Sequence, residues 1–138
     1  MNNKKTIATL LILSLVISAS VAFADSVGLR YIGVEDISIG LSINTDNKAS
    51  CCARVNSSAS NYAPFVSATL KRSSDGKIWT SVASWSASGT FLTGASIDET
   101  VAVSRGFQYK LFVTAKIYNS SGALIETVYK NSRIVSHY

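Results

Sequence analysis

Residues able to carry out catalysis are few and scattered in this chain. Its 138 residues include a single His, His137, and only two Cys. A nucleophilic triad needs a His that is held beside a Ser or Cys and an orienting acid. His137 lies close to a chain end that we expect to be flexible, and the sequence contains no Gly-x-Ser-x-Gly, phosphate-binding loop or dinucleotide fingerprint. We therefore expect a protein that is not an enzyme and has no cofactor and no metal.

Two pairs of neighbouring carboxylates, at residues 35–36 and 98–99, are the remaining catalytic candidates. Glycoside hydrolysis needs two carboxyl groups that face each other across a sugar, whereas neighbours on a β-strand point to opposite faces. Only Asp36 with Glu99 would suit that arrangement, and the pattern favours a non-catalytic role for both. The acidic turn at 45–48 would be a Ca²⁺ ligand only with further oxygen donors, so we interpret it as a turn.

The adjacent cysteines are predicted to point to opposite faces of one strand, because side chains alternate along it. Cys51 would then pack in the core as a small apolar residue, and Cys52 would be an exposed free thiol. Two alternatives stay open: Cys52 as an intermolecular cross-link, and a strained disulfide between the two neighbours. Their adjacency excludes the inter-sheet disulfide of antibody domains, which joins cysteines on separate strands.

Aromatic side chains are the best candidates for ligand binding, because a ring packs on the C–H groups of a sugar while its polar edge stays hydrated. In the run 78–86, Trp79 and Trp85 alternate in phase with Ala83, so packing in the core or across strands is their competing role. The candidate ligand contacts are Trp79, Trp85, Tyr118 and Tyr129, and Tyr31 and Tyr62 are further members of the same aromatic set.

The elements that must position these residues are predicted to be β-strands. Beyond residue 24, Val, Ile and Thr far outnumber Leu, and short alternating runs are separated by clusters of Gly, Asn, Asp and Ser. The clearest strand is Ile37–Ile43, and the longest is Phe107–Tyr118. Asp75-Gly76 predicts a hairpin turn, and the last run, 124–135, is interrupted near Asn131. About seven strands at this spacing indicate an all-β, antiparallel sandwich like those of immunoglobulin and fibronectin type III domains.

The N-terminal segment has the layout of a secretory signal peptide. Lys4 and Lys5 precede an apolar run at 6–17, and Ala22–Ala24 reads as an A-x-A cleavage site. We expect residues 1–24 to be removed and residues 25–138 to form a single β-sandwich domain. The product would be extracellular, or loosely associated with the cell surface, and would have no stable membrane span.

The net charge of +5 falls to +3 when the two lysines of the predicted signal peptide are removed. The remaining basic residues are scattered along the chain, a pattern that favours solubility and not nucleic-acid binding.

Two stretches resemble fibronectin type III-like sandwiches. Residues 70–82 resemble the hairpin between strands C and C′, and residues 106–115 resemble the corner between strands E and F. The resemblance spans 65–122 in pattern and implies that the ring of Tyr109 packs at this corner while its hydroxyl bonds to backbone. Through its signal peptide, its Cys52-Ala53 strand and the Gly-x-x-Tyr ending at Tyr109, the chain also resembles small secreted Gram-positive bacterial proteins of unknown function. That second resemblance implies no activity.

Together these patterns predict a secreted, non-catalytic interaction module. Its expected partner is a cell-wall glycan or another extracellular protein, because the chain combines Ser- and Thr-rich strands, aromatic residues and a modest positive charge. The alternative is a secreted antagonist, that is, a bacteriocin-like toxin or an enzyme inhibitor.

Overall fold

The computed structural model describes residues 31–138. The predicted signal peptide, residues 1–24, lies outside the described residues, as do residues 25–30 of the predicted domain. Within residues 31–138, no helix is long and apolar enough to span a membrane.

Between residues 31 and 138, eight strands form two antiparallel sheets, and the predicted β-sandwich is thereby confirmed. One sheet has three strands in the order β1-β2-β5, and the other has five, in the order β4-β3-β6-β7 with β8 also paired to β6. The strands are β1 Val34–Ile43, β2 Lys48–Ser57, β3 Ala63–Ser73, β4 Thr80–Ser88, β5 Ala95–Ala102, β6 Phe107–Tyr118, β7 Leu124–Asn131 and β8 Val135–His137.

The core lies between the two sheets and is built from the alternation seen in the sequence. Along β6 every second residue is buried, and the outward neighbours are partly exposed. The predicted orientation of the two cysteines is confirmed in the same way, because Cys51 is buried and Cys52 is exposed. The fully buried side chains that fill the space between the sheets include Val55, Val66, Leu70, Tyr109, Leu111, Val113 and Ile117.

The prediction that Trp79 and Trp85 point to the same side of the sheet is wrong, because a β-bulge interrupts β4 between them. Leu70 of β3 pairs with Ala83, whereas the next residue, Lys71, pairs with Ser81, so Val82 is an extra residue in the ladder. Trp85 lies opposite the buried Ala68 and packs against the core. The chain before the bulge is in the opposite phase, so Trp79 does not share a face with Trp85.

The predicted hairpin turn between β3 and β4 is confirmed and is held by two side chains. Gly76 has a φ of 75°, the left-handed conformation that glycine adopts at no steric cost. The Asp75 carboxylate accepts hydrogen bonds from the backbone N–H groups of Lys77 and Ile78, and from the Ser73 hydroxyl. These donors, that of Ile78 first, lower the pKa of Asp75 to about 2.

The corner before β6 is closed by Tyr109, as its sequence context predicts. The buried Tyr109 hydroxyl donates to the Ser104 carbonyl at 2.6 Å and accepts from the Ser104 N–H at 3.0 Å. Because both backbone groups of Ser104 are satisfied by one side chain, the connection from β5 to β6 is fixed against the core.

The last predicted strand is split into β7 and β8, which confirms the interruption expected near Asn131. At the break, the Ser132 hydroxyl takes the place of a backbone acceptor, because it accepts a hydrogen bond from the Leu111 N–H at 2.8 Å. The expectation that His137 lies in a flexible end is wrong. His137 belongs to β8, is only 9% exposed, and its Nε2 lies 2.8 Å from Oδ1 of Asn47 in the β1–β2 turn.

Candidate binding surface

The outer surface of the five-stranded sheet is the main candidate site, and we name it the lysine face. Its outward residues alternate with the buried residues of β3 and β6, and the strand register places them in rows across the sheet. They are Phe65, Ser67, Thr69 and Lys71 of β3, Ser81, Ser84 and Ser86 of β4, Lys110, Phe112, Thr114, Lys116 and Tyr118 of β6, and Thr127, Tyr129 and Asn131 of β7.

The lysine face carries positive charge without a compensating acid. Among the described residues that point outward from its strands, three are Lys and none is Asp or Glu. The carboxylate of β7, Glu126, does not point outward. Glu126 pairs in register with the buried Ile117 and accepts hydrogen bonds from the backbone N–H groups of Ile32 and Gly33. This face therefore attracts anions.

Lysines and aromatic rings converge at one end of the lysine face. Lys71 and Lys110 are directly opposite each other in the β3–β6 ladder. Their Nζ atoms lie 4.6 Å and 5.2 Å from the centroid of the Phe112 ring. Trp79 meets Phe112 edge to face with 6.0 Å between the ring centroids, and Lys110 Nζ lies 5.8 Å from the Trp79 centroid. The two rings and two ammonium groups form one cluster, which we name the lysine–aromatic cluster.

The predicted ligand contacts are only partly brought together. Trp79, Tyr118 and Tyr129 lie on the lysine face, and Tyr129 is 77% exposed, whereas Trp85 is on the core side of the sheet. Tyr118 and Phe112 are six residues apart along β6, which places Tyr118 roughly 20 Å from the lysine–aromatic cluster.

Sequence reasoning missed Lys71, Lys110 and Phe112 as members of this surface. The alternation of Lys110 and Phe112 with buried Leu111 and Val113 would have placed both on an outer face. The alternation could not have placed them beside Lys71, because the sequence of one strand does not show which other strand pairs with it.

The outer surface of the three-stranded sheet is the second candidate, named here the cysteine face. A shallow depression of about 440 Å³ lies there, and its floor is the row formed by Gly40, Cys52 and Asp98. The Cys52 thiol donates a weak hydrogen bond to Asp98 Oδ1 at 3.5 Å. Partial burial, this hydrogen bond and the Asp98 charge all raise the pKa of Cys52. The thiol is therefore held protonated, which makes it a poor nucleophile at neutral pH.

The carboxylates considered for glycoside hydrolysis do not face each other. Asp36 pairs with Asn56 and Glu99 with Cys51, so the two lie five residues apart along β2. That offset alone is roughly 17 Å, whereas the reaction needs two carboxyl groups about 5–10 Å apart. Within residues 31–138, no group of three or more His, Cys, Asp or Glu side chains is placed to hold a metal ion.

One end of the sandwich exposes apolar side chains in the loop between β4 and β5. Leu92 is 89% exposed and Phe91 is 38% exposed. Phe91 helps to line a small pocket of about 260 Å³ together with Tyr62 and Asn119. This end is separate from the lysine–aromatic cluster, so a substitution here should leave binding at that cluster unchanged.

Comparisons with known proteins add no relative to these observations. No protein-family model matches the sequence, and no curated protein matches it. The resemblance to small secreted Gram-positive proteins stays a prediction.

Proposed function

We propose that this chain is an extracellular binding module that attaches to a cell-surface glycan through its lysine face. The observation that carries the proposal is the composition of that face. Among the described residues it combines aromatic rings, of which Tyr129 is exposed and Trp79 and Phe112 are half-buried, with rows of Ser and Thr hydroxyls and three lysines but no carboxylate. The extracellular location rests on the signal peptide predicted at residues 1–24.

The chemistry of the lysine face suits a sugar polymer. The rings of Trp79, Phe112 and Tyr129 offer apolar area for sugar C–H groups. Hydroxyls such as those of Thr69 and Ser84, which lie 2.9 Å apart on neighbouring strands, can donate and accept toward sugar hydroxyls. An open, five-stranded surface also allows a long polymer to lie across it, since no loop has to move to admit the chain.

The first test is co-sedimentation of purified residues 25–138 with purified cell-wall sacculi at low and at high salt. We expect binding that weakens but persists at high salt, because stacking on rings is not screened by ions whereas lysine attraction is. Trp79→Ala should weaken the high-salt binding by about twofold to tenfold, the loss of one aromatic stacking interaction.

The control is Leu92→Ser, which removes a more exposed apolar side chain, 89% exposed, from the loop end of the sandwich. It should bind sacculi as the wild type does. Absence of sedimentation with any wall preparation would overturn the proposal and favour a protein partner or the antagonist alternative. Loss of binding in Leu92→Ser with retention in Trp79→Ala would overturn it as well, because the site would then lie at the loop end.

A further inference from the structure

We propose that Lys71 and Lys110 form an anion subsite on the lysine face that takes a phosphate group carried by the bound glycan. The inference rests on the proposed function for the identity of the polymer. The subsite itself follows from the arrangement of these two side chains.

The pairing of Lys71 with Lys110 is electrostatically unfavourable in the isolated chain. The two residues are direct cross-strand partners on an exposed face, and like charges in that arrangement destabilise a sheet. Both nitrogens lie near one ring centroid, so they are within about 10 Å of each other, about one Debye length at 0.1 M salt. Their fields therefore add, and salt at 0.1 M screens one charge from the other only in part.

Aromatic rings hold the two ammonium groups in place without neutralising them. The π face of Phe112 attracts both Nζ atoms, and Trp79 adds a second ring beside Lys110. A ring has no net charge, and the outward strand residues of the five-stranded sheet, within residues 31–138, include no Asp or Glu that could pair with either lysine. The cluster thus holds two positive charges beside one ring, and neither is neutralised by an acid of the same face.

Phosphate is the anion that this chemistry favours. A Lys ammonium binds phosphate as a compact point charge, and the acceptor oxygens of one phosphate group can receive hydrogen bonds from both ammonium groups. Lys116 lies six residues further along β6, roughly 20 Å from Lys110, so a polymer with repeated charges can contact both positions. The expected ligand is therefore a glycan with phosphate along its chain.

The subsite is tested first with inorganic phosphate alone, by thermal unfolding in sodium phosphate and in sodium chloride of equal ionic strength. In chloride, Lys110→Gln should melt about 1–4 °C higher than the wild type, because the substitution removes the cross-strand repulsion. Phosphate should raise the wild-type melting temperature by more than it raises that of Lys110→Gln. Lys48→Gln, which removes an exposed lysine of the three-stranded sheet and keeps the pair, is the control and should respond to phosphate as the wild type does.

Two outcomes would overturn the subsite. If Lys110→Gln melts lower than the wild type in chloride, the lysines are structural and hold Phe112 in place. If phosphate stabilises all three proteins equally, the effect is the general one of an excluded salt. Because this measurement uses no glycan, its result is independent of sedimentation with sacculi, and either proposal can fail while the other stands.

The identity of the anion is then tested with sacculi from which phosphodiester-linked polymers have been removed by acid. Wild-type binding should fall to the level of Lys110→Gln on untreated sacculi. Undiminished binding would overturn the assignment to phosphate and point to wall carboxylates. Competition by single-stranded DNA at equal phosphate concentration that exceeds competition by the released wall polymer would overturn the assignment to a glycan.

Discussion

Cys52 shows how a single residue's surroundings set its chemistry. It lies on an exposed face, yet partial burial raises its pKa, and Asp98 adds to the effect by accepting a hydrogen bond from the thiol and by placing a negative charge beside it. These effects stabilise the protonated thiol, which is a much weaker nucleophile than the thiolate. The predicted role of Cys52 as a cross-link would therefore need an oxidant that takes up two electrons, or a partner disulfide that the Cys52 thiolate attacks with release of the other thiol.

Alkylation measures this effect directly. With iodoacetamide at pH 7.5, the folded protein should gain one adduct, on Cys52, more slowly than free cysteine does, because the raised pKa leaves less thiolate. Burial raises the pKa of Cys51 to about 11 and excludes the reagent, so Cys51 should react only after unfolding. Adducts are counted by intact-protein mass spectrometry, with Cys52→Ala as the blank.

The contribution of Asp98 is isolated by Asp98→Asn, which keeps the size of the side chain and removes its charge. In this variant Cys52 should be alkylated several-fold faster than in the wild type at pH 7.5. The difference in rate should shrink as the pH rises and Cys52 ionises in both proteins. An unchanged rate in Asp98→Asn would mean that burial alone sets the reactivity of Cys52.

Among the elements, the corner between β5 and β6 depends on one side chain. Replacing Tyr109 with Phe removes two hydrogen bonds to Ser104 and keeps the buried ring. We expect a loss of about 1–3 kcal/mol in the free energy of unfolding, since each bond contributes roughly 0.5–1.5 kcal/mol. Urea denaturation provides the measurement.

Tyr129→Phe is the control for Tyr109→Phe, because its ring is mostly exposed and outside the core; its urea midpoint should stay at the wild-type value. Equal midpoints for Tyr109→Phe and the wild type would mean that water replaces the corner hydrogen bonds at no cost.

The strands show how much of the fold the sequence predicts. Alternation identifies Ile37–Ile43 and Phe107–Tyr118 and their buried sides, because burial on one face of a strand requires a period of two. Alternation cannot show an inserted residue such as Val82, which reverses the phase of β4 and separates Trp79 from Trp85. Nor can it show which strands pair, and the lysine–aromatic cluster exists only through pairing.

In the whole molecule, the two sheets are joined at their ends as well as through the core. At one open edge, Lys130 Nζ of the five-stranded sheet donates to the Ile37 carbonyl of the other sheet at 3.2 Å. At the end of the sandwich that holds the β1–β2 turn, the His137 side chain of β8 makes a hydrogen bond to the Asn47 side chain. The Asn47 carbonyl in turn accepts a hydrogen bond from the Val103 N–H at 2.9 Å. A three-residue strand therefore connects the β1–β2 turn, the end of β5 and the start of β6.

This arrangement predicts that the last residues stabilise the sandwich as a whole. Deleting residues 134–138 removes the ladder from β8 to Phe107–Tyr109 and the 2.7 Å bond from the Gly106 N–H to the His137 carbonyl. We expect a loss of about 2–4 kcal/mol in the free energy of unfolding, from several hydrogen bonds and the apolar contact of Val135. The uncovered edge of β6 should also promote self-association, visible by sedimentation.

A point variant separates the two parts of that loss. His137→Ala keeps the backbone ladder of β8 and removes only the side-chain bond to Asn47, so it should lose less than half of the stability that the deletion loses and should stay monodisperse. If His137→Ala is as unstable as the deletion, the stability comes from the hydrogen bond between His137 and Asn47 and not from the backbone ladder of β8. If the deletion melts as the wild type does, β8 adds nothing to the sandwich, and the core between the two sheets is sufficient by itself.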